Sequence, residues 1–162
     1  TGADLRAAAC GTDGCSIPTF AIPLRALALG FARFGTGHGV GPERARTTAR
    51  IRAAVAARPY YVAGTDRFDT KVMQALGARA FTKTGAEGVF CASLPELGLG
   101  VALKCDDGTG RAAEAMMGAV IERFLTLTEV EAQAIGPLVR QPLRNWNGIH
   151  VGDVVPVGEL VG

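Results

Sequence analysis

The chain has 162 residues, a length that fits one domain of roughly 100–200 residues with a sizeable core. Hydrophobic residues make up 48% and charged residues 20%, which excludes a disordered chain, and a net charge of +2 gives no argument for nucleic acid or a membrane surface as partner. No apolar run approaches the ~20 residues of a spanning helix. The start, Thr1–Arg6, lacks the basic and apolar regions of a signal peptide, so the four cysteines (Cys10, Cys15, Cys91 and Cys105) read as reduced thiols in a cytoplasmic protein.

In chain order, Asp4–Ala9 suits one helical turn, and Gly11–Ser16 is a turn-rich loop carrying Asp13, Cys15 and Ser16. Leu24, Leu27, Phe31 and Phe34 recur at helical spacing, and the glycines from Gly35 to Gly41 end that helix. Pro42 opens a second helix to about Ala57. Its arginines, Arg44, Arg46, Arg50 and Arg52, have no interleaved aromatics to stack bases, so they read as a solvated face. Tyr60–Arg67 reads as a loop. Asp69 or Thr70 then caps a short helix through Leu76, closed by Gly77. Strands are expected at 79–84, 88–93 and 98–105, followed by a helix from about Arg111 to Leu125. That helix would align Ala113, Met116, Met117, Val120 and Phe124 on one side, the methionines as core filler. Thr128 and Glu131 form a capping box for a further helix, which Pro137 and Pro142 break. Asn147-Gly148 is a turn signal before an edge strand over 149–155. There is no internal repeat and no low-complexity segment, so residues 1–162 read as one α/β (α+β) domain with a small antiparallel sheet and helices packed on it.

The centre of this layout is Phe81-Thr82-Lys83-Thr84-Gly85-Ala86-Glu87-Gly88-Val89. Lys-Thr-Gly on a strand, beside an apolar hairpin and a packed helix, matches the back wall of serine β-lactamase-like sites. The tripeptide alone is a weak signal, because a motif counts only in its structural context. Further blocks accompany it in order: Gly-Thr-Asp-Gly-Cys-Ser-Ile-Pro-Thr-Phe (11–20), Val-Ala-Gly-Thr-Asp-Arg-Phe-Asp-Thr (62–70), Ala-Leu-Lys-Cys-Asp-Asp-Gly (102–108) and Asn-Trp-Asn-Gly (145–148). Together they resemble the asparaginase II family, the bacterial type related to serine β-lactamases and glutaminases. The resemblance covers nearly the whole chain.

The resemblance implies a serine β-lactamase/penicillin-binding-protein-like fold of which this chain looks like the C-terminal half. It also implies hydrolysis of L-asparagine to L-aspartate and ammonia without an organic cofactor. Lys83 would place a cation beside the attacking serine, stabilising negative charge or moving its proton. The N–H of Ala86 would donate to the oxyanion. Thr84 would bond the substrate carboxylate, and Gly85 would let substrate approach the strand. Asp13 would receive the substrate ammonium, and Cys15 is a candidate zinc ligand.

One part is missing. The nucleophile of that superfamily is the serine of Ser-x-x-Lys, and the chain's serines, Ser16 and Ser93, are followed three residues on by Thr19 and Glu96. Thr1 is not an N-terminal threonine nucleophile, since the residues after it pattern as helix instead of an apolar strand. Neither His38 nor His150 has a Gly-x-Ser-x-Gly partner. Two expectations from different classes follow. In one, the chain is the substrate-facing wall of an amidohydrolase, with glutamine as the rival substrate and the N-terminal half or a second copy as partner. In the other, it is a catalytically silent domain serving as a partner surface. Coding sequence with Ser-x-x-Lys directly upstream favours the first.

Overall fold

The computed structural model describes residues 1–161. Its central element is an antiparallel sheet of three strands in the order β3 (Phe81–Thr84), β4 (Val89–Leu94), β5 (Leu99–Lys104). The register pairs Lys83 with Cys91 and Cys91 with Ala102, so side chains alternate cleanly between two faces. One face presents Thr82, Phe90, Ala92, Leu94 and Val101. It packs against α4 (Phe68–Leu76) and α5 (Gly110–Phe124), on which α6 (Glu129–Val139) rests in turn, forming the main core with Phe68, Val72, Leu76, Met117, Ile121, Ile135 and Val139. Phe68 meets Phe90 edge-on at 5.2 Å. These layers match the α+β arrangement expected from the sequence.

The opposite face presents Phe81, Lys83, Cys91, Ser93, Gly100 and Ala102, and it receives α1 (Leu24–Thr36). The helix ends where Gly37 adopts φ +75° and its N–H closes on the Arg33 carbonyl. The seam with the sheet is built from small residues. A Cβ on Gly100 would lie 2.0 Å from the Ala28 carbonyl oxygen, and one on Gly35 would lie 1.8 Å from Ser93 Oγ. Phe31 and Phe34 instead close over Phe81, at 6.1 and 5.0 Å between ring centroids. The Leu24–Phe34 stripe is therefore not the buried face as such, and Leu24 is exposed.

Helix α2 (Pro42–Ala57) forms as expected but buries no residue. Its arginines are exposed except Arg52, whose guanidinium bonds the Phe34 carbonyl and lies 6.0 Å from the Phe34 ring, tying α2 to α1. Four further expectations are corrected. Tyr60–Ala63, read as loop, is a single helical turn (α3). The stripe of α5 is Ala113, Met117, Gly118 and Ile121, and Phe124 is exposed. Gly118 decides that rotation, because a Cβ there would meet Val139 Cγ2 of α6 at 2.8 Å. Pro137 lies inside α6 instead of breaking it, and the backbone bond pattern resumes at once from the Arg140 N–H to the Gly136 carbonyl. Pro142 sits within a strand, β6 (Gln141–Arg144), paired to β7 (His150–Val154) across the Asn145–Gly148 turn.

The first residues make a turn and then a hairpin, β1 (Cys10–Thr12) with β2 (Pro18–Phe20), where a helical turn and a loop were expected. Arg79 fastens the lower edge of the sheet. Its guanidinium bonds Glu96 in the β4–β5 turn and Glu131 of the capping box, and the Thr126 carbonyl besides. Those two carboxylates raise the Arg79 pKa, and Arg79 in turn holds both below the usual carboxylate range. Among the described residues no helix is long and apolar enough to cross a membrane.

Candidate functional site

Lys-Thr-Gly lies on β3, the edge strand of the central sheet, where the strand runs out into a tight turn. The Gly85 N–H donates to the Val89 carbonyl at 2.8 Å and the Val89 N–H returns to the Ala86 carbonyl at 3.1 Å. The turn needs left-handed backbone at Glu87 (φ +54°) and Gly88 (φ +68°). Gly88 is also sterically fixed, since a Cβ would lie 2.9 Å from Cys105 Cβ. At Gly85 a Cβ would lie 3.2 Å from both the Val89 Cβ and the Val89 carbonyl oxygen, so the missing side chain makes room for the turn itself. Ala86 is exposed, and its N–H has no hydrogen-bond partner among the described residues.

Lys83 is exposed, and its Nζ curls back to donate to the Thr84 carbonyl at 2.7 Å, which holds the ammonium at the rim of the strand end. Across the ladder lies buried Cys91. Burial pushes that thiol up to about 11, and the Lys83 charge only partly offsets it.

Thr84 points to the other face, and here a residue the sequence reading gave a different role becomes central. Asp69, in the first turn of α4, does not cap its helix. Its carboxylate is 1% exposed, and Oδ2 accepts both the Thr84 N–H at 3.3 Å and the Thr84 hydroxyl. Oδ1 is buried with no partner among the described residues. The half-buried Glu114 of α5 is close enough to feel this charge. Burial raises its carboxyl pKa and Asp69 adds to the rise, while Arg67 and Lys71 pull it back.

Asp13 and Cys15 sit elsewhere, at the exposed tip of the β1–β2 hairpin. Asp13 Oδ1 accepts the Gly14 N–H at 2.6 Å, and the Cys15 thiol donates to Asp13 Oδ2 at 3.3 Å. No hydrogen bond or ion pair joins this tip to β3 among the described residues. The expected site thus falls into two groups, with Lys83, Thr84, Gly85 and Ala86 at the strand end and Asp13 with Cys15 on the hairpin. As metal donors, Cys15 and Asp13 are two where zinc takes about four. The described residues contain no group of three or more His, Cys, Asp or Glu that would hold a metal, so on their own they do not fit zinc. Grooves of about 490 and 470 Å³ open along α1, and neither is lined by Lys83, Thr84, Gly85 or Ala86.

Of the chain's serines, Ser16 is exposed in the hairpin tip with φ +68°, and Ser93 is fully buried under α1 with its hydroxyl unpartnered among the described residues. Neither shares a hydrogen bond with Lys83. What the strand end offers chemically is one exposed cation and one N–H without a protein partner among the described residues, a set suited to stabilising developing negative charge. No curated protein matches the chain. A family model described as L-asparaginase II matches residues 1–156, and the chain belongs to that family.

Proposed function

We propose that the chain supplies the Lys-Thr-Gly wall of a site that hydrolyses L-asparagine to L-aspartate and ammonia. The observation that carries this is the pairing, at one exposed strand end, of the Lys83 ammonium with the unengaged Ala86 N–H. In this reading a serine hydroxyl attacks the side-chain carboxamide carbon and its proton passes to a base. The Ala86 N–H and the Lys83 charge stabilise the oxyanion. Collapse expels the nitrogen, which leaves with a proton as ammonia, and water then releases aspartate from the acyl-enzyme. Thr84 and Gly85 form the substrate-side surface of the wall. Asp13 takes the substrate ammonium once the hairpin tip is brought to the strand.

The attacking serine comes from a Ser-x-x-Lys segment that these 162 residues do not contain, supplied by the N-terminal half of the same enzyme. Ile17, Phe20, Ile149 and Val151 are exposed on the two peripheral hairpins, which supports a surface covered by such a partner. Zinc enters only as a metal that Cys15 and Asp13 would share with ligands from that partner, and no step is routed through it. The exposed apolar hairpins equally suit a catalytically silent domain that serves as an assembly surface, which is the second reading.

The test is ammonia release from asparagine and from glutamine, by the chain alone and by the chain joined to the Ser-x-x-Lys segment. We expect release only from the joined protein, and faster with asparagine. Faster release from glutamine would reassign the substrate. Release by the chain alone would demand another nucleophile, Cys15 first. No release from either protein would leave the silent domain.

A further inference from the structure

Thr84 carries one hydroxyl hydrogen and two lone pairs. Its main-chain N–H can only donate, so Asp69 Oδ2 is an acceptor at that contact, and the same oxygen takes the hydroxyl hydrogen. What Thr84 then turns outward is acceptor capacity alone. A substrate carboxylate is also acceptor-only, so the two would repel. Asparagine brings donors too, the stronger being its ammonium, because charge-assisted bonds are the stronger kind. The geometry agrees in sign, since the buried Asp69 carboxylate lies directly behind Thr84 as its hydrogen-bond acceptor.

We propose that Asp69 is a positioning residue that fixes Thr84 as a hydrogen-bond acceptor, so that the Thr84 hydroxyl oxygen shares the three N–H donors of the substrate ammonium with Asp13 and selects an α-amino substrate. This rests on the amidohydrolase reading above and replaces the carboxylate contact expected for Thr84 from the sequence. It also makes Asp69, through Thr84, a determinant of specificity that does not itself touch substrate.

The experiment compares kcat/KM for asparagine with that for succinamate, which lacks the ammonium, in the joined enzyme. Thr84→Val keeps the shape and removes the hydroxyl. It should lower kcat/KM for asparagine at least ~10-fold more than that for succinamate, the scale of a lost bond to a charged group. Asp69→Ala is the second variant. It removes the oxygen that accepts the Thr84 hydroxyl and frees the hydroxyl hydrogen to point outward, so the preference for asparagine over succinamate should fall by a similar factor. A merely structural role for Asp69 would depress both substrates together and leave their ratio alone. An unchanged ratio in both variants overturns the proposal, and if Asp69→Ala does not fold, Thr84→Val decides it. Absence of ammonia release from asparagine by the joined wild-type enzyme overturns the amidohydrolase reading and this inference with it. Full activity with an unaltered preference overturns this inference alone.

Discussion

Gly100→Ala is the sharpest test of how the helix and sheet layers meet. The added Cβ would sit 2.0 Å from the Ala28 carbonyl oxygen and 2.3 Å from the Ala32 nitrogen, the two ends of one hydrogen bond in the α1 ladder. Neither atom belongs to a side chain that can swing away. Restoring ordinary contact near 3.4 Å requires α1 to retreat by about 1.4 Å along this seam. A radial gap of only ~0.5–1 Å already forfeits a quarter to a half of each dispersion contact, and the retreat also lifts Phe31 and Phe34 from Phe81. Overpacking usually costs ~1–3 kcal/mol. A clash with backbone on both sides belongs at or above the top of that range, so we expect a loss of about 3 kcal/mol or more against a typical total of ~5–15. Urea unfolding followed by far-UV circular dichroism reads this as a lower midpoint at unchanged slope. Gly11→Ala is the control, because its Cβ would meet nothing within 4 Å, and it should stay within ~0.5 kcal/mol of wild type. A Gly100→Ala midpoint equal to that of the control would refute the backbone-on-backbone seam.

Thr128→Ala removes the hydroxyl that accepts the Glu131 N–H in the capping box and should cost about 1 kcal/mol in the same urea assay. The Cys91 thiol keeps its proton to about pH 11 in the native chain, whereas the unfolded thiol ionises near 9. The native state therefore holds more protons in that window, and the Cys91 contribution to stability, present below pH 9, is lost as pH rises toward 11. Cys91→Ala should flatten that slope. At pH 8 a thiol reagent should label exposed Cys10 and Cys15 and spare Cys91 until the chain unfolds, as counted by mass spectrometry. In the joined enzyme, Lys83→Ala should lower turnover of asparagine at least ~100-fold with little change in melting temperature, since Lys83 is exposed and its one bond is to its neighbour's carbonyl. Full turnover in that variant would remove Lys83 from the chemistry.

The elements legible in the sequence are those whose ends carry their own chemistry. Pro42 starts α2, Gly37 stops α1, and the Thr128–Glu131 box starts α6, each within a turn of the expected place. The β3–β4–β5 sheet was legible because its strands are apolar runs set between turn residues. What the pattern hid is which face of a helix is buried. In α1 the contact is made by Ala28, Ala32 and Gly35 because the backbone of Gly100 comes so close, a fact of the facing strand and not of the helix. In α5 the same happens through Gly118 and Val139. Strand β6 was missed because Pro142 reads as a breaker. It is tolerated there in a two-stranded edge pair, where one N–H needs no partner.

The candidate site divides along the same line. Lys83, Thr84 and Gly85 stand out as a motif, and a motif names residue types without saying which protons are already committed. An Asp at the start of a helix satisfies the capping pattern as well as any other reading, so sequence alone directs Asp69 toward its own helix. Folding directs it elsewhere. Rotation of α4 buries Phe68, Val72 and Leu76, and the same rotation turns Asp69 inward, onto the strand end 15 residues away. Once there, a nearly fully buried carboxylate has to be satisfied, and the Thr84 N–H and hydroxyl are the donors within reach. The hydrogen-bond polarity that Thr84 offers is therefore set by the packing of a helix that carries none of the Lys-Thr-Gly motif.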